Sequence, residues 1–329
     1  MAGYCRLKDV DIEKNVGNRV YIIFMARNVD VRPQKDGGEY ITLDMVDNDK
    51  VVEAKIFGIN KETKEKISEG GVYKAAVDIK TYKRNGSASL SCIIYSIDYC
   101  DISPIEFVEK VENLEYFVDI IRAGLELIKG TVYEAITTRI LGKHWEKFSM
   151  WPAGKSIHHT EIGGLVMHTA CVLKSAVAIG RVYNDIYGDK FVNMPLLASA
   201  AILHDVMKTR EFELDISSGA VTYSNCGALS SHILECLHEI DLEAHELGIE
   251  NTEEITLLKH VIAAHHGKLE FGSPVKACTT EAIILSTADS QDAEMWQFNR
   301  DVKGVKAGSH SALWKRGELV VRYKDTTKE

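Results

Sequence analysis

Paired cysteines, a long apolar run and an apolar leader are all missing from this chain of 329 residues. Its seven cysteines are scattered, odd in number and form no Cys-x-x-Cys pair, which argues against a disulfide scaffold or zinc ribbon and favours a reducing compartment. No apolar run approaches the roughly 20 residues that span a bilayer, and the opening "MAGYCRLKDVDIEKN" contains no signal core. We therefore expect a cytoplasmic protein with no membrane partner.

Positive charge is also scarce, since 39 Lys and Arg face 48 Asp and Glu. The net charge of -9 by itself argues against a nucleic-acid partner. However, residues 1–100 carry 16 basic and 15 acidic side chains, whereas the remainder carries 23 and 33. The chain therefore has two electrostatic halves, and an anionic substrate of the acidic half would need cations from another source.

The first hundred residues have the pattern of β-strands. Five segments are rich in β-branched and aromatic residues, and turn-forming residues separate them. These segments are 19–29, 39–47, 50–57, 72–82 and 88–98. A helical stretch, "NKETKEKISEG", follows the third segment. This is the order of an OB-fold barrel, whose strand 2–3 face and loops 1–2 and 4–5 bind oligonucleotides.

The two corresponding loops, "NVDVRPQKDGG" and "TYKRNGS", combine cations with an aromatic ring. Cations that follow phosphates and rings that stack on bases suit a single strand, although ordinary solvated loops explain the same residues. The candidate substrate contacts are Arg32, Lys35, Tyr82, Lys83 and Arg84.

From "SPIEFVEKVENLEYF" onward, the apolar spacing becomes helical. The predicted helices are 105–123, 125–141, 163–187, 194–208, 227–247, 252–266 and 279–297. We therefore expect an α+β multidomain protein. Its predicted parts are an OB-fold barrel in 1–100, a linker helix in 101–125, an all-α bundle in 126–300 and a tail in 301–329.

Every histidine except His310 lies between residues 144 and 266. Several histidines and acids interrupt or end apolar helices, so they should face the inside of a bundle. They are His168, His204, Asp205, His232, His265, His266 and Asp289. A lone inward histidine is most often a satisfied core residue, but buried carboxylates here would lack cationic partners. Imidazole and carboxylate ligands without thiolates suggest Mn, Fe, Co, Ni or Zn, and the number of groups favours two ions that share Asp205.

The order of these residues resembles that of the HD-domain metal hydrolases. The segments "SIHHTEIGGLVMHT", "LLASAAILHDVMKTREFE" and "AAHHGKLEFGSPVKACTTEAIILSTADSQDAEM" resemble the YhaM-type 3'-5' exoribonucleases, in which an OB-fold precedes an HD domain, so the resemblance covers nearly the whole chain. It implies metal-dependent, typically manganese-dependent, removal of nucleotides from the 3' end of single-stranded RNA, and in some members DNA. Met207 stands where the family commonly has Gly and Met167 where an acid is usual, but neither is a predicted ligand.

Two dications about 3.5–4 Å apart can activate a water and neutralise a phosphodiester under in-line attack. We assign His168, His204, Asp205 and Asp289 to the first ion. We assign His232 and either His265 or His266 to the second, with Asp205 bridging. The predicted catalytic residues are therefore His204, Asp205 and Lys208.

Lys208 lies one helical turn beyond His204 and would contact a phosphate oxygen, although a surface lysine that ends a helix is the alternative. Arg210 and His159 are further candidate substrate contacts, with His158 as the alternative to His159. The neighbouring pair Gly163–Gly164 would allow a close backbone approach at the site, as would a plain turn at a helix start.

Other functions use the same residues. An HD phosphohydrolase acting on nucleotides or cyclic dinucleotides would need the metals but has little use for an OB-fold. A di-iron oxygenase could use the same ligands, and a non-catalytic OB-fold binding protein would not need the intact ligand set. The sequence leaves open the native metal, with Mg as a further candidate, the preference for RNA or DNA, and whether the chain forms a homo-oligomer.

Overall fold

The chain folds into two compact units. The computed structural model describes residues 3–34, 37–84, 87–155, 159–215, 219–303, 305–313 and 318–324. Met1–Lys110 and Leu214–Ala220 form the barrel unit, and Val111–Glu213 and Val221–Glu329 form the helical unit. The division falls at residues 110–111 rather than at 100–101. Buried Phe107 explains this shift, because its carbonyl accepts a hydrogen bond from the Asn48 amide of the barrel.

The barrel unit is a closed five-stranded sheet with a short extra strand. Its strands are β1 (Cys5–Arg6), β2 (Arg19–Pro33), β3 (Glu39–Asp47), β4 (Lys50–Ile56), β5 (Val72–Arg84) and β6 (Ser87–Tyr99), with helix α1 (Lys61–Lys66) after β4. The strand order β2-β3-β4-β6-β5 closes through β2–β5, and only the β4–β6 pairing within this ring is parallel. This order, with a helix after the third strand of the ring, confirms the predicted OB-fold.

Alternation along the strands builds the barrel core. On β3, the side chains of Ile41, Leu43 and Met45 point inward and are at most 1% exposed. A two-residue turn joins β3 to β4, and Asn48 occupies it with a φ of 57°, a left-handed conformation that asparagine tolerates. The sequence pattern therefore specified both the inward face and the turn.

The helical unit contains helices of very different length. They are α2 (Leu114–Ile128), α3 (Val132–Phe148), α4 (Gly164–Tyr187), α5 (Met194–Leu203), α6 (Lys208–Glu211), α7 (Asn225–Leu229), α8 (His232–Leu247), α9 (Glu253–Ala263) and α10 (Thr280–Lys303). Two pairs of strands occur besides the helices: β7 (Phe212–Asp215) with β8 (Ala220–Tyr223), of which Leu214–Ala220 belongs to the barrel unit, and the antiparallel pair β9 (Ser309–Leu313) with β10 (Glu318–Arg322). The first hairpin was not predicted, and the second lies in the predicted tail.

Helix α5 lies at the centre of the helical unit. Every residue from Leu196 to Leu203 is buried. The Asn193 side chain caps its first turn by accepting a hydrogen bond from the Leu196 amide. The predicted helix 194–208 was too long, because the chain tightens after Leu203. The amides of Val206 and Lys208 bond to carbonyls only three residues back, and the resulting turn carries His204 and Asp205.

Helix α4 is 24 residues long, and one stretch of it has a mean hydropathy of 1.4. By length and composition it could cross a membrane, contrary to our expectation from the sequence. However, 56% of that stretch is buried inside the protein, as in the core helix of a globular domain. We therefore interpret its apolar character as the result of packing against α2, α5 and α10.

Candidate metal centre

Six histidines and acids meet in the interior of the helical unit. They come from the early part of α4, the turn after α5, the start of α8, the turn after α9 and the middle of α10. Those with exposed fractions of 5% or less are His168, His204, Asp205, His232 and His265, and Asp289 completes the group. Residues far apart in the chain therefore share one buried volume.

Asp205 is the geometric centre of this group. Its Oδ2 atom lies 3.2 Å from His168 Nε2 and 3.5 Å from His204 Nε2. Its Oδ1 atom lies 3.2 Å from His232 Nε2 and 3.7 Å from His265 Nε2. The carboxylate thus has two imidazoles on each oxygen, which is the arrangement expected of a bridging ligand.

The other ring nitrogen of each histidine faces a hydrogen-bond acceptor. His204 Nδ1 lies 2.9 Å from the Ala201 carbonyl, and His265 Nδ1 lies 2.7 Å from the Ile262 carbonyl. Because a carbonyl only accepts, these Nδ1 atoms must carry the proton, which leaves Nε2 with a lone pair. Protein metal sites orient their histidine ligands in this way.

Carboxylates do the same for the remaining two histidines. His168 Nδ1 lies 2.7 Å from Asp292 Oδ2, and His232 Nδ1 lies 2.7 Å from Glu211 Oε2. Neither acid was a predicted site residue. Asp292 follows Asp289 by three residues in "ADSQDA", so helical spacing could have indicated it, whereas no pattern in the sequence pointed to Glu211.

Unsatisfied atoms test whether a metal fits. Both oxygens of Asp205 and the Nε2 atoms of His232 and His265 are buried without a partner in hydrogen-bonding geometry. A lone pair on Nε2 that faces a carboxylate oxygen at 3.2–3.7 Å is repulsive unless a cation lies between them. The donor set therefore fits divalent metal ions.

The donors divide into two subsites. The ligand atoms of His168, His204 and Asp289 lie within 4.8 Å of one another, and so do those of His232, His265 and His266. His266 therefore lies beside His265 rather than replacing it, with its Nδ1 atom 3.0 Å from the Phe271 carbonyl. A third group, His159, His168 and Asp292, is better explained by the hydrogen bonds that Asp292 accepts.

The charges of the centre also favour cations. Burial lowers the pKa of His204 and lowers that of His265 well below its usual value, so both are neutral. Burial alone would raise the pKa of Asp205, but the charge of nearby Lys208 holds it well below its ordinary range. Burial opposes protonation of His168, yet the acids around it, Asp205 first and then Asp289 and Asp292, raise its pKa well above normal. The same negative field would attract dications.

Lys208 lies inside the centre, with its Nζ atom 2.6 Å from Asp205 Oδ2 and only 7% of the residue exposed. Burial lowers its pKa, but Asp205 more than compensates, so the net pKa is raised and the ammonium is charged. This buried position agrees with the prediction that Lys208 lies beside the metals and not with the alternative of a surface lysine. Its contact with substrate stays a prediction.

The other predicted substrate contacts lie elsewhere. Arg210 is 45% exposed and pairs with Glu235 at 3.3 Å. In the barrel unit, exposed Arg32 pairs with Asp30 of its own strand at 2.9 Å. Lys35 and His158 lie outside the described residues, as do the side chains of Tyr82, Lys83 and Arg84, whose backbone belongs to β5. His159 is buried behind His168 rather than placed in an open cleft.

Comparison with known proteins agrees with this centre. Residues 165–294 match the HD domain, a family that binds divalent metals, and the match indicates a metal-dependent phosphohydrolase. It covers His168 through Asp292 and so includes every residue of the two subsites.

Solved structures similar to part of the chain include one DNA-binding protein and two isolated domains. The mitochondrial single-stranded DNA-binding protein of S. cerevisiae has 11% identity and a TM-score of 0.23, over 25% of this chain and 94% of its own. An OB domain from Thermoplasma acidophilum has 14% identity and a TM-score of 0.22, over 30% of this chain and 88% of its own. The second OB-fold domain of replication protein A from Methanococcus maripaludis has 14% identity and a TM-score of 0.22, over 31% of this chain and 98% of its own. We assign the barrel from its own strand order.

Proposed function

We propose that the protein is a metal-dependent 3'-5' exonuclease that hydrolyses single-stranded RNA, and also single-stranded DNA, to nucleoside monophosphates. One observation carries the proposal. Four imidazole Nε2 atoms converge on the oxygens of a single buried aspartate, and each opposite Nδ1 atom is held by an acceptor. This centre belongs to a chain that also contains an OB-fold barrel, which a mononucleotide hydrolase does not need.

The residues of the centre would divide the work between them. His168, His204 and Asp289 would hold one dication, His232, His265 and His266 a second, and Asp205 would lie between them. Bound dications would supply the charge that activates water and stabilises the phosphodiester under attack. Lys208 would place its ammonium beside a phosphate oxygen, and the Asp292 and Glu211 carboxylates would keep the histidines in the ligating tautomer.

The barrel unit would hold the strand that the centre shortens. Tyr40 on β3 and Phe57, which directly follows β4, stack at 5.3 Å with an interplanar angle of 18°, and Phe57 is 48% exposed. These strands are the second and third of the barrel, whose face binds oligonucleotides in OB-folds. Rings of this kind stack on bases without selecting a sequence. We further propose manganese as the native metal and the cytoplasm as the location.

The test uses single-stranded RNA and DNA labelled at either end and incubated with the full chain and Mn, Mg or Zn. We expect a descending ladder from 5'-labelled RNA and labelled mononucleotide from 3'-labelled RNA. Asp205→Asn and His204→Ala should each reduce the rate by more than about a thousandfold, because a two-metal site loses its shared or terminal ligand. Folding is checked by circular dichroism, and His245→Ala, at a 77% exposed histidine, is the matched control.

Two results would contradict the proposal. Equal cleavage by both site variants, or full activity in excess chelator, would remove the metal centre from the reaction. Hydrolysis of nucleotides or cyclic dinucleotides with no action on oligonucleotides would favour the other HD phosphohydrolases.

A further inference from the structure

A buried chain of hydrogen bonds lies behind the metal ligand His168. Asp292 Oδ2 lies 2.7 Å from His168 Nδ1 and 2.8 Å from His159 Nε2, so one oxygen accepts from two imidazoles. Asp292 is one turn beyond Asp289 on α10. The same helix therefore supplies the ligand Asp289 and the hydrogen-bond acceptor behind the ligand His168. His159 is 1% exposed and therefore contacts protein on all sides.

The far side of His159 is also fixed. Its Nδ1 atom lies 3.7 Å from Glu161 Oε1, which accepts a hydrogen bond of 3.2 Å from Trp296 Nε1. The Trp296 ring lies 5.5 Å from the His159 ring. Trp296 follows Asp292 by four residues on α10, so one face of this helix contacts both ends of the hydrogen-bonded series from Asp292 through His159 and Glu161. One nitrogen of His159 is thus bonded to Asp292 and the other faces Glu161.

The backbone of His159 is held as tightly as its ring. Its φ is +45°, in the left-handed region, and its carbonyl accepts a 2.8 Å hydrogen bond from the Ala153 amide. A Cβ atom added to Gly164 would lie 2.2 Å from that carbonyl oxygen, so glycine is required there. Strained backbone that the surroundings hold in place is found where a side chain must be positioned.

We propose that His159 is a positioning residue. Acting through Asp292, it fixes the ring and the tautomer of His168 and thereby sets the affinity of the first metal subsite, an inference that rests on the metal centre proposed above. This replaces the predicted role of His159 as a substrate contact, because both of its ring nitrogens face carboxylates of the protein.

The two subsites should therefore respond differently to mutation. In the second subsite, Glu211 orients His232, and its carboxylate is 12% exposed. In the first, Asp292 is oriented by a second imidazole that is almost wholly buried. Loss of His159 should weaken one subsite only, and loss of the Glu211 charge should weaken the other.

The experiment titrates Mn²⁺ alone into the metal-free full chain by calorimetry. We expect two sites in the unaltered protein. His159→Leu should weaken one site by about 10–100-fold, the usual effect of losing a partner behind a metal ligand, and leave the other unchanged. His159→Gln keeps a donor towards Asp292 and should restore part of that affinity. Glu211→Gln should weaken the second site independently, and His245→Leu should change neither.

The Co²⁺-loaded proteins add a readout that does not depend on catalysis. The ligand-field bands of one of the two Co²⁺ ions should shift in His159→Leu and return towards the original spectrum in His159→Gln. If His159→Leu binds two metal ions with unchanged affinity and spectrum while the KM for RNA rises, His159 contacts substrate and the positioning role is wrong. If the unaltered chain binds no metal, the proposed function itself fails, and the two failures are thereby distinguished.

Discussion

The barrel unit and the helical unit both bury acids, but they satisfy them differently. In the barrel unit, Asp47 is fully buried and accepts hydrogen bonds from the Arg6 guanidinium at 3.0 and 2.5 Å and from the Lys8 amide at 3.1 Å. In the helical unit, Asp205 is as deeply buried and has the Lys208 ammonium 2.6 Å from Oδ2, yet neither of its oxygens has a partner in hydrogen-bonding geometry. Among the described residues of the barrel unit, no buried side-chain atom is left in that condition.

The difference shows which buried polar groups indicate function. Burial itself does not, because Asp47 is fully buried and its carboxylate is satisfied by Arg6 and Lys8 of the N-terminal segment. An unsatisfied buried polar atom costs about 1–3 kcal/mol, and four such atoms, the two Asp205 oxygens and the Nε2 atoms of His232 and His265, meet in one place. A protein retains such a cost where a ligand removes it. The contrast therefore favours the helical unit as the place of the chemistry, in agreement with the strand-binding role that we propose for the barrel unit.

The largest effect is expected where the backbone packs behind the metal centre. Gly164→Ala should lower the free energy of unfolding by about 3 kcal/mol, the upper end for overpacking, since its Cβ atom would overlap the His159 carbonyl. The matched control is Gly142→Ala in α3, where nothing lies within 4 Å and the change should stabilise by about 1 kcal/mol. Urea denaturation measures both. Equal effects would mean that Gly164 is an ordinary turn glycine.

Metal binding should stabilise one unit and not the other. Two buried thiols report on them: Cys236, fully buried on α8, and Cys92, 1% exposed in the barrel, where burial raises its pKa to about 11. The exposed thiols of Cys5 and Cys278 are blocked first. Mn²⁺ at a hundredfold excess over its Kd should then stabilise the folded helical unit by about 2.7 kcal/mol and slow the alkylation of Cys236 about 100-fold. Alkylation of Cys92 should not change.

Equal protection of both thiols would show that the units open together, and no protection of Cys236 would place the metals elsewhere. Cleavage assays with excess chelator provide the parallel measurement. Both results would decide whether the unsatisfied atoms around Asp205 are indeed the metal-binding atoms.

The sequence predicted the barrel well because its strands are amphipathic and the signals that define them are local in the sequence. Alternating residues such as Ile41 and Leu43 fix the inward face, and the "DND" turn fixes the connection between β3 and β4. The helical boundaries were less accurate. The stretch 194–208 is apolar throughout, so periodicity could not reveal that the chain tightens after Leu203. The hairpin β7–β8 was missed because its strands have four residues each.

The metal centre was predictable as a set of residues but not as a network. Buried histidines and acids stand out against apolar helices, which brought His168 and Asp205 into the candidate site. What sequence could not supply was the side of each imidazole that faces the interior. That depends on acceptors such as Glu211 and the Ile262 carbonyl, which become neighbours only in the folded chain. For the same reason His159 was predicted to contact substrate although it lies behind His168.

The smallest effect is expected from the stacked pair on the barrel. Phe57→Ala should weaken binding of a long single-stranded RNA by about 1 kcal/mol, the low end for one base on one aromatic ring, because Tyr40 already covers one of its faces. Hydrolysis of a dinucleotide, too short to need the barrel, should keep its kcat/KM. Val51→Ala, at a 54% exposed residue of β4, the strand that Phe57 follows, is the matched control and should change neither. Equal loss on both substrates would show that the ring supports the fold rather than the strand, whereas loss on the long substrate alone would separate capture from cleavage.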